Sequence, residues 1–131
     1  MALPRQKLRE IIFHVLYGKS FGSSEGDSVR LLMNHHKVTK KSVCEAESFA
    51  DKVREKEEEI DALICKYAVD YKLERIPAVE KNLLRLGIFE MIYHKETPRK
   101  VAIAEAIRLA RKFTTQEGAK FVNAILDAIP V

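Results

Sequence analysis

The sequence predicts an all-α protein of about seven helices. Apolar residues recur at three- and four-residue steps along most of the chain, which is the period of an amphipathic helix. No segment shows sustained two-residue alternation flanked by turn dipeptides, the pattern of a strand. The chain has 131 residues, of which 47% are hydrophobic and 32% charged, and this composition excludes a disordered or low-complexity protein. We therefore expect residues 1–131 to form a single domain.

Four helices are predicted in the first half of the chain. The first ends at Gly18 and Gly22, and a loop rich in glycine and serine leads to a short second helix that stops near His35-His36. Thr39 or Ser42 can cap the third, and the fourth begins with glutamates that suit the positive end of the helix dipole. The apolar stripes of the first, third and fourth helices comprise Leu8, Ile11, Ile12, Val15 and Leu16, then Val43, Ala46, Phe49, Ala50 and Val53, then Ile60, Leu63, Ile64, Tyr67 and Ala68.

Three further helices are predicted in the second half. The fifth, residues 78–94, follows a proline and is apolar nearly all the way round, as expected of a central helix. Thr97-Pro98 reads as an N-cap and a first-turn proline for the sixth helix, and Thr114 with Glu117 reads as a capping box for the seventh. The loop around Ile76 could divide the chain into two sub-bundles, although neither half is clearly large enough to be a separate domain.

Several classes of function are disfavoured by the sequence. No apolar run approaches the roughly 20 residues of a membrane span, so we expect a cytoplasmic protein with no membrane contact. Because phosphate-binding, nucleophile and metal signatures are absent, we predict no catalytic residue, no cofactor and no enzyme activity. His35 and His36 are adjacent and would point about 100° apart on a helix, which predicts no metal site. His14 lies off the apolar stripe, where a hydrogen bond or a partner contact is expected, and Cys44 and Cys65 are expected to be buried.

Charge is distributed unevenly along the chain. Residues 1–41 carry a net charge of +5, residues 42–80 a net charge of −5 and residues 81–131 a net charge of +4. Two basic ends around an acidic middle could provide one face for phosphates and another for a basic protein. Solvated helix faces would explain the same charge runs without any partner.

The first helix combines basic residues with an aromatic ring. Arg5 and Arg9 lie one turn apart at one edge of the apolar stripe, Lys7 lies nearer its other side, and Tyr17 follows before the glycine loop. Single-stranded RNA needs positive charge for its phosphates and a stacking surface for its bases, so this combination suits it. Solubility alone would also explain three surface cations near a chain terminus.

Three stretches in the second half of the chain occur in a recognisable order and spacing. They are AVEKNLLRLGIFEM over residues 78–91, VAIAEAIRLARKF over residues 101–113 and KFVNAILDAI over residues 120–129. Together with REIIFHVLY over residues 9–17, they resemble the NusB family of transcription antitermination factors. The resemblance covers nearly the whole chain, most strongly in residues 77–129.

The resemblance implies an all-helical fold of two small packed bundles and a non-enzymatic role. NusB-like proteins pair with NusE, a small-subunit ribosomal protein, and both bind a short single-stranded boxA element of nascent RNA. Within the RNA polymerase antitermination complex, this assembly promotes read-through of terminators, notably in ribosomal RNA operons. Two alternatives remain open: an RNA-recognition module that acts with an RNA methyltransferase, and a helical adapter that binds only proteins. The sequence also leaves open whether the chain is a monomer or a homodimer.

The resemblance also assigns roles to individual residues. The NusE surface maps to the fifth helix, with Glu80 as the position carried over. Phe121 sits at the edge of the last apolar stripe, where spacing permits a core or an outward ring, and the resemblance favours the outward one. Asn123 could be a structural amide or an RNA contact. The full RNA-binding set is Arg5, Lys7, Arg9, Tyr17, Glu117, Lys120, Phe121 and Asn123.

Overall fold

The computed structural model describes residues 3–22 and 25–130, and it is built from helices. No β-strand occurs within these described ranges, so the all-α prediction is confirmed. A short 3₁₀ turn at Leu73–Arg75 precedes the fifth α-helix. The α-helices are α1 (Arg5–Lys19), α2 (Glu25–His36), α3 (Lys40–Glu55), α4 (Glu57–Tyr67), α5 (Ala78–Ile92), α6 (Arg99–Phe113) and α7 (Gln116–Ala128).

The chain divides into two compact units, residues 1–54 and residues 55–131. The division that the sequence suggested near Ile76 is therefore misplaced. The reason is that α4 contacts α5 and α7, which makes it part of the second unit. That residues 1–131 behave as a single domain stays a prediction.

In the first unit, α1 contacts α2 and buries most of its predicted stripe. The helix α2 begins at Glu25, inside the stretch predicted as a loop rich in glycine and serine, and residues 23–24 of that stretch lie outside the described part of the chain. It ends at His36, where Lys37 adopts a positive φ of 55° and the Val38 N–H donates to the Met33 carbonyl at 3.1 Å. This left-handed termination satisfies a carbonyl of the last helical turn.

The second unit is organised around α5, which contacts α4, α6 and α7. This agrees with its nearly continuous apolar surface. Gly87 lies where α5 closely approaches α6 and α7, since a Cβ there would be 3.0 Å from Leu126 of α7 and 3.5 Å from Ala106 of α6. Arg85 fastens α5 to α4 by donating two hydrogen bonds of 2.9 Å to the Asp61 carboxylate.

Two predicted helix caps are shifted by one residue. The N-cap of α6 is Pro98, and the Thr97 hydroxyl instead donates to the Glu90 carboxylate at 3.2 Å. The N-cap of α7 is Thr115, whose hydroxyl accepts the Gly118 N–H at 3.0 Å. At the start of each helix, two adjacent residues can occupy the N-cap position, and spacing in the sequence does not show which of them does.

Both cysteines are exposed, which corrects the expectation that they are buried. Cys44 and Cys65 each follow a fully buried residue, Val43 on α3 and Ile64 on α4. A single step along a helix rotates the side chain by about 100°, so each thiol is turned away from the buried face. None of the described helices is both long enough and apolar enough to cross a membrane.

Candidate nucleic-acid interface

The three basic residues of α1 differ in their exposure. Arg5 is exposed and Lys7 is half-buried, but Arg9 is only 8% exposed. The expectation of three surface cations is therefore wrong for Arg9. Ile12 and Phe13, one turn further along the same side of the helix, are buried, and the long arginine stem is covered with them.

The C-terminal end of α1 carries a row of aromatic rings. The Tyr17 ring centroid lies 6.0 Å from that of Phe13 and 5.0 Å from that of Phe21. Phe13 is buried, Tyr17 is half-buried and Phe21 is 67% exposed, so the row runs from the interior to solvent. Phe21 was missed because it lies beyond the helical stripe, in the turn that follows α1. At 1.5 Å per residue, Tyr17 lies about 18 Å along the helix axis from Arg5, so the two would serve different nucleotides.

The first turns of α7 place their predicted residues on two different sides of the helix. Lys120 and Asn123 are exposed and line a shallow cleft of about 110 Å³ between α6 and α7, together with Arg111. Phe121 faces elsewhere: its ring is half-buried and meets the Tyr71 ring edge-on, with centroids 5.0 Å apart. Both faces suit RNA, one through cations and an amide, the other through rings.

Two members of this interface were not predicted from the sequence. Tyr71 is 56% exposed and lies 50 residues before Phe121, so only tertiary packing brings the rings together. Arg111 belongs to the basic end of α6, and its charge was counted without being assigned to a site. Glu117 is exposed on the first turn of α7, where its carboxylate suits the positive end of the helix dipole.

Glu80 is buried, contrary to the surface position expected of a partner contact. Its side chain is 6% exposed and its carboxyl carbon would lie 3.3 Å from a Cβ on Gly118, in the first turn of α7. A carboxylate at a helix N-terminus is stabilised by the helix dipole. The structure thus places Glu80 where it supports the start of α7.

Three histidines of the first unit come together. His14 Nδ1 of α1 lies 2.7 Å from His36 Nε2 of α2, which confirms the hydrogen bond expected of His14. The His35 ring lies 5.6 Å from that of His14 and 4.8 Å from that of His36. Burial, together with the charges of Lys7, His14 and His35, lowers the pKa of His36 to about 4, although Glu10 acts in the opposite direction. The sequence relates only His35 and His36, which are adjacent, and nothing in its spacing predicts that His14 of α1 contacts α2.

Known proteins similar in sequence share one family name. The chain matches the NusB family over residues 6–130. It is 39% identical to the transcription antitermination protein NusB of Chlamydia pneumoniae over 127 residues, which cover 96% of this chain and 79% of that protein. It is also 35% identical to the NusB protein of Thermotoga sp. strain RQ2, over 98% of this chain and 92% of that protein.

Solved structures show the same fold. T. maritima NusB matches with a TM-score of 0.80 and 33% identity, covering 97% of this chain and 90% of that chain. A crystal structure of the antitermination factors NusB and NusE in complex with double-stranded RNA matches with a TM-score of 0.79 and 28% identity, covering 95% and 93%. On sequence and on fold alike, the chain belongs to the NusB family.

Proposed function

We propose that this chain is a transcription antitermination factor that binds boxA-type single-stranded RNA together with NusE. In this role it joins the RNA polymerase antitermination complex and promotes read-through, notably of ribosomal RNA operons. Membership of the NusB family supports the role, and a similar solved structure contains NusB, NusE and RNA. The protein works by binding, without catalysis, and its place would be the cytoplasm beside the transcribing polymerase.

The observation that carries the RNA-binding part is the combination of exposed cations with accessible rings. Arg5 is exposed and Lys7 half-exposed on α1, and Lys120 is exposed on α7. Tyr17 and Phe121 are half-exposed and each has a more exposed aromatic neighbour. Cations bind phosphates, which are the same whatever the base sequence, whereas rings stack on unpaired bases. Cations and accessible rings together therefore favour a single strand.

NusE is the protein partner that we propose, and Glu80 contributes to its surface indirectly. Because Glu80 is buried against the start of α7, it would shape that surface and not meet a basic partner directly. The net negative charge of residues 42–80 offers exposed carboxylates for a basic ribosomal protein, including Glu58 and Glu59 on α4.

The salt dependence of RNA binding tests this function. Affinity for a labelled boxA-type RNA is measured by fluorescence anisotropy over a range of salt concentrations, with and without NusE, and again for the same sequence annealed to its complement. Arg5→Ala with Lys7→Ala should reduce affinity for different RNA sequences alike and flatten the salt dependence, by up to about 0.7 log unit per lost contact. Arg9 is left unchanged because its replacement would disturb buried packing.

The matched control removes two cations of α3, Lys52→Ala with Arg54→Ala, which are both exposed and lie outside the proposed interface. This control should bind RNA with the parent slope. Equal effects of both double variants would overturn the assignment to α1. Binding of NusE without any salt-dependent RNA binding would favour the protein-only adapter, and tighter binding to the duplex would overturn single-strand recognition.

A further inference from the structure

The histidine cluster of the first unit has the geometry of a metal site. His14, His35 and His36 each offer one ring nitrogen, and these three atoms all lie within 4.8 Å of one another. They come from two elements, the middle of α1 and the last turn of α2. Adjacent histidines diverge on a regular helix, but here α2 ends at His36 and the two rings stand edge-on, 4.8 Å apart.

The spacing of the nitrogens fits one ion after small movements. Two ligands of a tetrahedral Zn²⁺ with Zn–N bonds of about 2.05 Å lie roughly 3.3 Å apart. The His14–His36 nitrogens, at 2.7 Å, would separate slightly, and the most distant pair would close by about 1.5 Å. His35 is exposed, so its ring can rotate towards the other two without disturbing buried packing.

The surroundings favour a cation bound by neutral imidazoles. His36 is 6% exposed, so this member of the cluster is shielded from bulk water. Metal ligands must be deprotonated, and an uncharged imidazole offers the lone pair of one ring nitrogen. The hydrogen now shared between His14 and His36 would move to the other nitrogen of its own ring, so neither ring gains or loses charge. Lys7 opposes a cation and Glu10 favours it, and these charges partly offset each other.

We propose that His14, His35 and His36 bind one divalent transition-metal ion of the zinc class. Three imidazole nitrogens form the donor set of borderline ions such as Zn²⁺, Ni²⁺ and Cu²⁺, whereas Mg²⁺ and Ca²⁺ require oxygen ligands. Exposed His35 gives the ion an entry path and leaves a coordination position for water. The ion would link the middle of α1 to the end of α2. This site is independent of the RNA interface proposed above.

Calorimetric titration with Zn²⁺ tests the proposal on the tag-free chain of 131 residues. The exposed thiols of Cys44 and Cys65 are replaced by serine first, because thiolates bind zinc strongly. We expect saturation at one ion per chain and a rise in melting temperature on loading. His35→Ala, an exposed change that should not affect folding, should weaken binding about tenfold or more and abolish the thermal shift.

His94→Ala is the matched control, since His94 is the remaining histidine and lies outside the cluster. It should bind Zn²⁺ like the parent. X-ray absorption of the loaded protein should show imidazole nitrogens at about 2.0–2.1 Å. Absence of saturable binding, equal losses in the His35 and His94 variants, or a coordination shell without imidazole would each overturn the site.

Discussion

Replacing Gly118 with alanine tests how tightly the start of α7 is packed. A Cβ at this position would lie 2.6 Å from Thr114 Oγ1 and 2.9 Å from Thr114 Cγ2, well inside contact distance, and 3.3 Å from the Glu80 carboxyl carbon. Rotating the Thr114 side chain cannot remove both clashes, because its two heavy atoms must occupy two of three staggered positions and only one position is free of the new methyl group. The backbone of the preceding turn must therefore move.

The expected net effect is a loss of about 1–2 kcal/mol in the free energy of unfolding. Overpacking costs about 1–3 kcal/mol. Alanine recovers up to about 1 kcal/mol through its higher helix propensity. Displacing the turn also strains the cap in which the Thr115 hydroxyl accepts the Gly118 N–H at 3.0 Å. For a chain of this length the melting temperature should fall by about 3–8 °C.

Urea denaturation followed by circular dichroism measures this loss. Thr114→Ala removes both clashing atoms, so the double variant should be more stable than the sum of the single changes predicts, by about 1 kcal/mol or more. Ala104→Gly, at an exposed position inside α6, is the control for helix propensity alone and should cost about 0.8–1.0 kcal/mol. A Gly118→Ala protein as stable as the parent would refute the close approach of α7 to Thr114.

Three further changes have distinct expected results. Arg85→Ala leaves the largely buried Asp61 carboxylate without its bidentate partner and should lower the free energy of unfolding by about 2–3 kcal/mol, measured by urea titration. An unchanged free energy of unfolding would contradict a structural role for Arg85. Phe121→Ala should reduce RNA affinity by about 1–3 kcal/mol in anisotropy titrations. It should lower the free energy of unfolding by only about 1 kcal/mol, because the ring is half-buried beside Tyr71. A large loss of stability with normal RNA affinity would instead place the ring in the core. Glu80→Lys puts a cation in a buried position and should destabilise the protein by more than about 2 kcal/mol by circular dichroism, so a folded variant that loses only NusE binding would show direct partner contact.

The helices were predictable because each carries a local pattern that tertiary packing then uses. The apolar surface of residues 78–94 identified α5 as central, and three helices do contact it. The same pattern could not show which helices α4 packs against, so the division near Ile76 was misplaced. Local pairs are simpler: Glu105 and Arg108 lie three residues apart on α6, and Arg108 donates two hydrogen bonds of 3.2 Å to the Glu105 carboxylate.

The candidate site was less predictable, since its members depend on packing between distant segments. Tyr71 and Phe121 are 50 residues apart, and His14 and His36 are separated by 22 residues. Exposure of polar residues at the edge of a stripe was also misjudged. Arg9 is covered although it is charged, because a long side chain can lie along apolar surface, and periodicity does not report this.

Arg99, at the first position of α6, reaches the far end of α7. Its Nη2 donates to the carbonyls of Asp127 and Ile129, both at 3.0 Å, and more weakly to that of Leu126. The last carbonyls of a helix have no partner within it, so this guanidinium closes a hairpin of two helices at its open end. Fraying of α7 from its C-terminal end must first break these contacts. Amide hydrogens in the last turn of α7 should therefore exchange slowly for a helix end, and Arg99→Ala should speed their exchange without changing exchange in α4.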